Sequence, residues 1–160
     1  MYILKYNFIH QLFEYDDLAA KTDAATERFH TLAGDIQQTE AELSRVSDLM
    51  AAVVQYAKTR PVFDGYKAAK YSRKYLAEHE AELADYRAAK ATMAELLGGE
   101  KLPKMDVLKE KRCQLAARKK ALYLEYRKAQ QDMRELVAVK GSVDHLRGLT
   151  DNQRNKEQAR

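Results

Sequence analysis

The chain has no tryptophan, one cysteine, two prolines and six glycines among 160 residues. Each shortage excludes something. The lone Cys113 rules out an intramolecular disulfide and fits a reducing, cytoplasmic setting. With so few prolines and glycines the chain has few places to turn, which is hard to reconcile with a β-rich domain and suits long helices. No run of about 18 apolar residues occurs, so no membrane span and no membrane partner are expected. The opening Met1-Tyr2-Ile3-Leu4-Lys5-Tyr6-Asn7-Phe8-Ile9 is too polar, and too poor in small residues at a cleavage position, to be a signal peptide.

What is present is charge and helical spacing. Charged residues make up 32% of the chain. Steps of four and three residues from Leu18 to Val53 visit Leu18, Thr22, Ala25, Phe29, Leu32, Ile36, Thr39, Leu43, Val46, Met50 and Val53. All but the two threonines are apolar. Sustained over about five heptads, this is a coiled-coil seam, and a helix carrying it must be given a partner. A second seam runs through Met105, Leu108, Arg112, Leu115, Lys119, Leu122, Tyr126, Ala129, Met133, Leu136, Val139 and Val143, with Lys140 beside it. The basic stems can lie along apolar surface with their heads in water.

The net charge of +4 hides segregation. Residues 1–57 hold four Lys/Arg against nine Asp/Glu, residues 58–74 six against one, residues 75–100 two against six, and residues 101–160 sixteen against eight. An acidic first helix and a basic last helix are suited to each other, with Arg118, Lys119, Lys120, Arg127 and Lys128 expected to pair with acids such as Glu40, Glu42 and Asp48.

These signals divide the chain into three parts. Residues 1–15 form a short amphipathic helix with Leu4, Phe8, Ile9, Leu12 and Phe13 on one face, and Asp16 caps the helix that follows. Residues 16–147 form the long-helix domain. Its first helix ends in a kink or break near Thr59–Pro61, because proline removes a donor and clashes with the preceding turn. A helical tip spans 61–103. Within it Ser72 is an N-cap, a stripe runs through Leu76, His79, Leu83, Tyr86, Met93 and Leu97, and Gly98-Gly99 is a helix stop. Pro103 and Asp106 mark the start of a final helix of about 44 residues, roughly 65 Å long. Residues 148–160 are a disordered polar tail.

The expected fold is all-α: an elongated antiparallel helical bundle or coiled coil with two long helices and a shorter helix between them. Three helices joined by short turns would instead make the first and third parallel. The antiparallel hairpin buries both seams along their full length and uses the Pro61 break.

Little here carries reaction chemistry, and no catalytic residue, metal ligand or cofactor is expected. His10, His30, His79 and His145 have no metal-ligand spacing. Cys113 stands near Lys109, Lys111 and Arg112, but a single mid-helix cysteine reads as structural. The richest stretch is Tyr66-Lys67-Ala68-Ala69-Lys70-Tyr71-Ser72-Arg73-Lys74-Tyr75. Rings interleaved with cations can stack bases and neutralise phosphates, which makes Lys67, Lys70, Tyr71, Arg73, Lys74 and Tyr75 candidate nucleic-acid contacts. The alternative is a solvated helix junction whose tyrosines pack their rings on the tip.

The runs Tyr56-Ala57-Lys58-Thr59-Arg60, Tyr66-Lys67-Ala68-Ala69 and Tyr71-Ser72-Arg73-Lys74-Tyr75-Leu76-Ala77-Glu78-His79-Glu80-Ala81-Glu82 resemble the C-terminal helical region of relaxases. So do Lys101-Leu102-Pro103 and Ala121-Leu122-Tyr123-Leu124-Glu125-Tyr126-Arg127-Lys128-Ala129. These are the mobilisation nucleases of conjugative and integrative elements in Gram-positive gut bacteria, and the resemblance covers about residues 15–147. Pro61 departs from the pattern after Tyr56–Arg60. In that family an N-terminal nuclease domain nicks the transfer origin with a tyrosine and a histidine-bound metal. No segment here reads as that domain, and none of the ten tyrosines receives the nucleophile's role. The resemblance therefore implies a non-catalytic accessory module for DNA mobilisation, as a fragment, a truncated product or an excised domain. Its implied partners are DNA and a relaxosome or transfer-machinery protein. A structural, oligomerising coiled coil with no nucleic-acid role, its seams docked onto another protein or a second copy, is the alternative.

Overall fold

A computed structural model describes the backbone of residues 2–159 and the side chains of residues 14–149 and 151–159. Four helices follow in order: α1 (Tyr2–Ala68), α2 (Arg73–Glu78), α3 (Glu80–Leu97) and α4 (Met105–Gln158). The protein is an all-α helical bundle in which α1 and α4 pack together. Its contacts fall into two compact units, Met1–Gln37 with Lys120–Arg160, and Gln38–Lys119.

In the first unit α1 and α4 run antiparallel. Tyr15 donates to Asp144 Oδ1, and further along α1 the ring of Phe29 stacks on Tyr126 with centroids 4.9 Å apart. Rising numbers on one helix thus meet falling numbers on the other. Leu32, Ile36 and Ala129 are buried between them. Thr22 occupies the seam at 5% exposure because its hydroxyl donates to the Leu18 carbonyl at 2.7 Å, so no donor is stranded. At the seam place after Leu136 the half-buried residue is Lys140, while Val139 is 51% exposed. The Lys140 ammonium sits 5.8 Å from the centre of the Tyr15 ring and 3.0 Å from Asp144 Oδ2.

The second unit holds the larger core. Val46, Leu49 and Met50 of α1 pack with Leu108 and Leu115 of α4, and Met93, Leu96 and Leu97 of α3 close over them. Further along α1, Tyr86 of α3 lies against both Tyr56 and Phe63, with centroids 5.2 and 4.3 Å apart. Gln55 donates to Asp85, and the Arg45 guanidinium caps the Leu96 carbonyl near the end of α3. Both α3 and the start of α4 therefore run antiparallel to α1, one after the other. The intervening Gly98 takes φ +56°, the left-handed state glycine allows, and stops α3.

Several expectations are corrected. Helix α1 is continuous through Pro61 to Ala68. Its apolar stripe does not end at Val53 but goes on through Tyr56, Thr59, Phe63 and Tyr66, all buried or half-buried, so partner contacts hold the helix across the proline. Ala57, whose carbonyl loses its donor to Pro61, is exposed and open to water. The segment 61–103 is accordingly no separate cap: the chain reverses at residues 69–72 and returns along α1. Asp16 lies inside α1 and caps nothing. The tail expected to be disordered is helical to Gln158, with every described side chain from Asp151 to Ala159 exposed. Of the expected interhelical charge pairs, Lys119–Glu40 forms at 3.0 Å. Arg118, Lys120, Arg127 and Lys128 are exposed and make no ion pair among the described residues; Lys120, Arg127 and Lys128 hold outer places of the heptad that point away from α1, whereas Arg118 flanks the seam. The apolar face of Leu4, Phe8, Ile9, Leu12 and Phe13 lies outside the described side chains.

Candidate functional site

The basic-aromatic stretch forms the turn at the end of α1. Its backbone is a helix stop of the Schellman type: Tyr71 N–H donates to the Tyr66 carbonyl at 3.0 Å, and Lys70 N–H donates to the Lys67 carbonyl at 3.0 Å. The side chains of the two residues in the outer bond, Tyr66 and Tyr71, meet edge to face with centroids 5.2 Å apart, the apolar contact that accompanies this motif. Such a stop demands a left-handed residue where glycine is usual. Here Lys70 has φ 52° and Tyr71 φ 61°. Each costs roughly 1–2 kcal/mol relative to an ordinary conformation.

Behind the turn the aromatic rings are ordered in a row. Tyr75 of α2 lies over Tyr66 at 6.1 Å, its hydroxyl donates to the Val62 carbonyl at 3.1 Å, and its other side meets the His79 ring at 4.3 Å. Gly65 makes this possible, since a Cβ there would stand 2.3 Å from the Tyr75 hydroxyl. Short α2 is thus set by Tyr75, not by its cap, as Ser72 makes no side-chain capping bond.

The six candidate residues separate by this geometry. Lys67, Lys70, Arg73 and Lys74 are exposed, with no ion-pair partner among the described residues. Tyr71 is 56% exposed, with one edge on Tyr66. Tyr75 is half-buried and engaged on both faces, so it shapes the turn instead of offering a ring to a ligand. Gly65 and the left-handed state of Lys70 escape a reading of the sequence: nothing marks Gly65 apart from the other helical glycines, and lysine does not announce a positive φ.

Elsewhere, burial first and a hydrogen bond with Tyr56 second push the Tyr86 hydroxyl above its ordinary pKa. No group of three or more His, Cys, Asp or Glu among the described residues is placed to hold a metal, and Cys113 is exposed. Among the described residues no helix is long and apolar enough to cross a membrane. No family model, curated protein or solved structure matches the chain.

Proposed function

We propose that the protein is a non-catalytic helical module, acting in a reducing, cytoplasmic setting, that contacts DNA through the turn joining α1 to α2. The observation that carries this reading is the turn itself. Four exposed cations and an exposed tyrosine surround a left-handed lysine where glycine would be less strained, and strain retained at one exposed place is a mark of use. The cations neutralise phosphates, and the free face of Tyr71 suits a base or sugar. The resemblance to relaxase helical regions supports placing this contact in DNA mobilisation, beside a separate nuclease.

The test is fluorescence anisotropy with short single-stranded and duplex oligonucleotides between about 50 and 200 mM salt. Binding that weakens with salt, and weakens further when Lys67, Lys70, Arg73 and Lys74 are all changed to Gln, is the expected result. Absence of binding at the lowest salt removes the DNA reading. Lys70→Gly separates strain from use: the variant should be more stable by about 1 kcal/mol and bind more weakly.

A second reading is favoured by a different observation. Val139, Leu146 and Leu149 share one side of α4 and are 49–62% exposed, which suits a structural coiled coil that pairs with a second copy. Sedimentation equilibrium decides it: a monomer throughout the micromolar range counts against self-association.

A further inference from the structure

Apart from Lys119, the basic residues of α4 that were expected to pair with α1 make no ion pair among the described residues. Seven residues advance a straight helix by close to two turns, so Lys120, Arg127 and Arg134 stand on one side of α4 at intervals of about 10.5 Å. Lys128 is next to Arg127 on the outer surface, and all four are exposed and without an ion-pair partner among the described residues. The acids of the same stretch, Glu125 and Asp132, are also seven apart and lie nearly opposite the Lys120–Arg127–Arg134 row, with Lys128, three residues after Glu125 and four before Asp132, beside them. At the far end Glu135 accepts a hydrogen bond from Gln131 Nε2 at 3.0 Å. Within the first unit the Lys120–Arg127–Arg134 row of α4 is therefore clear of the acids, and none of the four cations is consumed by the fold.

We propose that this outer flank of α4, carried by Lys120, Arg127, Lys128 and Arg134, is a second nucleic-acid contact that tracks the phosphodiester backbone. It rests on the reading that the protein binds nucleic acid, but not on the α1–α2 turn being where it binds. The chemistry selects phosphates over an acidic protein. A protein interface is anchored by a cluster of buried apolar or aromatic side chains, and this flank offers only two isolated exposed ones, Leu124 and, thirteen residues on beside Arg134, Val137. A backbone of phosphates needs only regularly spaced cations, and arginine pairs with phosphate through two parallel N–H donors. Contacts of this kind position the nucleic acid without reading its sequence.

The experiment changes all four residues to Gln in the full chain and measures anisotropy with a duplex and a single-stranded oligonucleotide over the same salt range. The four residues are exposed and unpaired, so the circular dichroism melt should be unchanged. The expected result is binding at least about tenfold weaker at low salt, with a log–log salt slope reduced by about 3.6 for the duplex. The turn variant (Lys67, Lys70, Arg73 and Lys74 to Gln) is run in parallel. If the α4 variant binds weakly and the turn variant binds normally, this inference stands and the turn reading falls. If the α4 variant keeps the affinity and slope of the parent, the inference is overturned, whatever the turn variant does. If polyglutamate at equal charge displaces the oligonucleotide as well as unlabelled DNA does, the flank takes acidic polypeptide and the phosphate assignment is overturned.

Discussion

Individual residues divide into those that follow helical averages and those fixed by one neighbour. Gly34 and Gly65 both lie inside α1, and an added methyl meets nothing within 4 Å at Gly34 but the Tyr75 hydroxyl at 2.3 Å at Gly65. Gly34→Ala should raise stability by about 0.5–1 kcal/mol in urea unfolding, the ordinary gain for a helix interior. Gly65→Ala should lower it, and adding Tyr75→Phe should return part of the loss, since the double variant removes the clashing oxygen. The surface cluster around Tyr15 obeys a similar local logic. The Tyr15 hydrogen bond, then the Lys140 ammonium, hold the Asp144 carboxyl below its ordinary pKa, and Asp144 raises that of Lys140 in return. Arg147 stands 3.9 Å over the Tyr15 ring. A carboxyl with a depressed folded pKa contributes stability above its unfolded pKa and loses it as pH falls through the folded value. The parent should therefore lose more melting temperature than Asp144→Asn between about pH 5 and pH 2, and the two should run parallel above that range.

Among the elements, α1 is the one whose extent matters most. Proline in a helix interior ordinarily costs about 3 kcal/mol relative to alanine. Because α1 passes through Pro61 without ending, Pro61→Ala should restore a donor to the Ala57 carbonyl and raise stability by about 1–3 kcal/mol, read from the urea midpoint at unchanged slope. A helix that broke at this proline would gain far less. Three threonines, Thr22, Thr39 and Thr59, interrupt the apolar stripe upstream of Pro61, and two of them are tolerated because a hydroxyl can return to its own backbone. Thr22 does this, and Thr59 does the same toward the Gln55 carbonyl at 2.7 Å. Both sit in buried places without leaving a polar atom unsatisfied, and no buried side-chain nitrogen or oxygen lacks a partner among the described residues.

At the scale of the whole molecule, each unit is built on an antiparallel pairing whose register specific pairs report. Lys119 and Glu40 sit opposite one another in the second unit at 37% and 39% side-chain exposure. Lys119→Glu alone should destabilise, and combining it with Glu40→Lys should recover the loss, with a coupling of about 0.2–1 kcal/mol in a double-mutant cycle. A coupling of zero would argue against this register.

The sequence alone determined the helical class and the two long seams. Every position of the stripe from Leu18 to Val53 is buried or half-buried, because a heptad of apolar residues has one way to leave water. Gly98 ended its helix as its residue type requires. The tertiary structure decided the rest. Pro61 did not end α1, since packing of Tyr56 and Phe63 on Tyr86 outweighed the local cost of proline. The chain reverses at Lys70 and Tyr71, two residues with no preference for the left-handed state, held there by the Tyr66 and Tyr75 rings. Which cations stay free was likewise settled only when α1 met α4, because charge counts give totals but only the facing surfaces choose partners. Local propensity and periodicity are properties of a segment, whereas a reversal and a free face arise from contacts between segments distant in the chain.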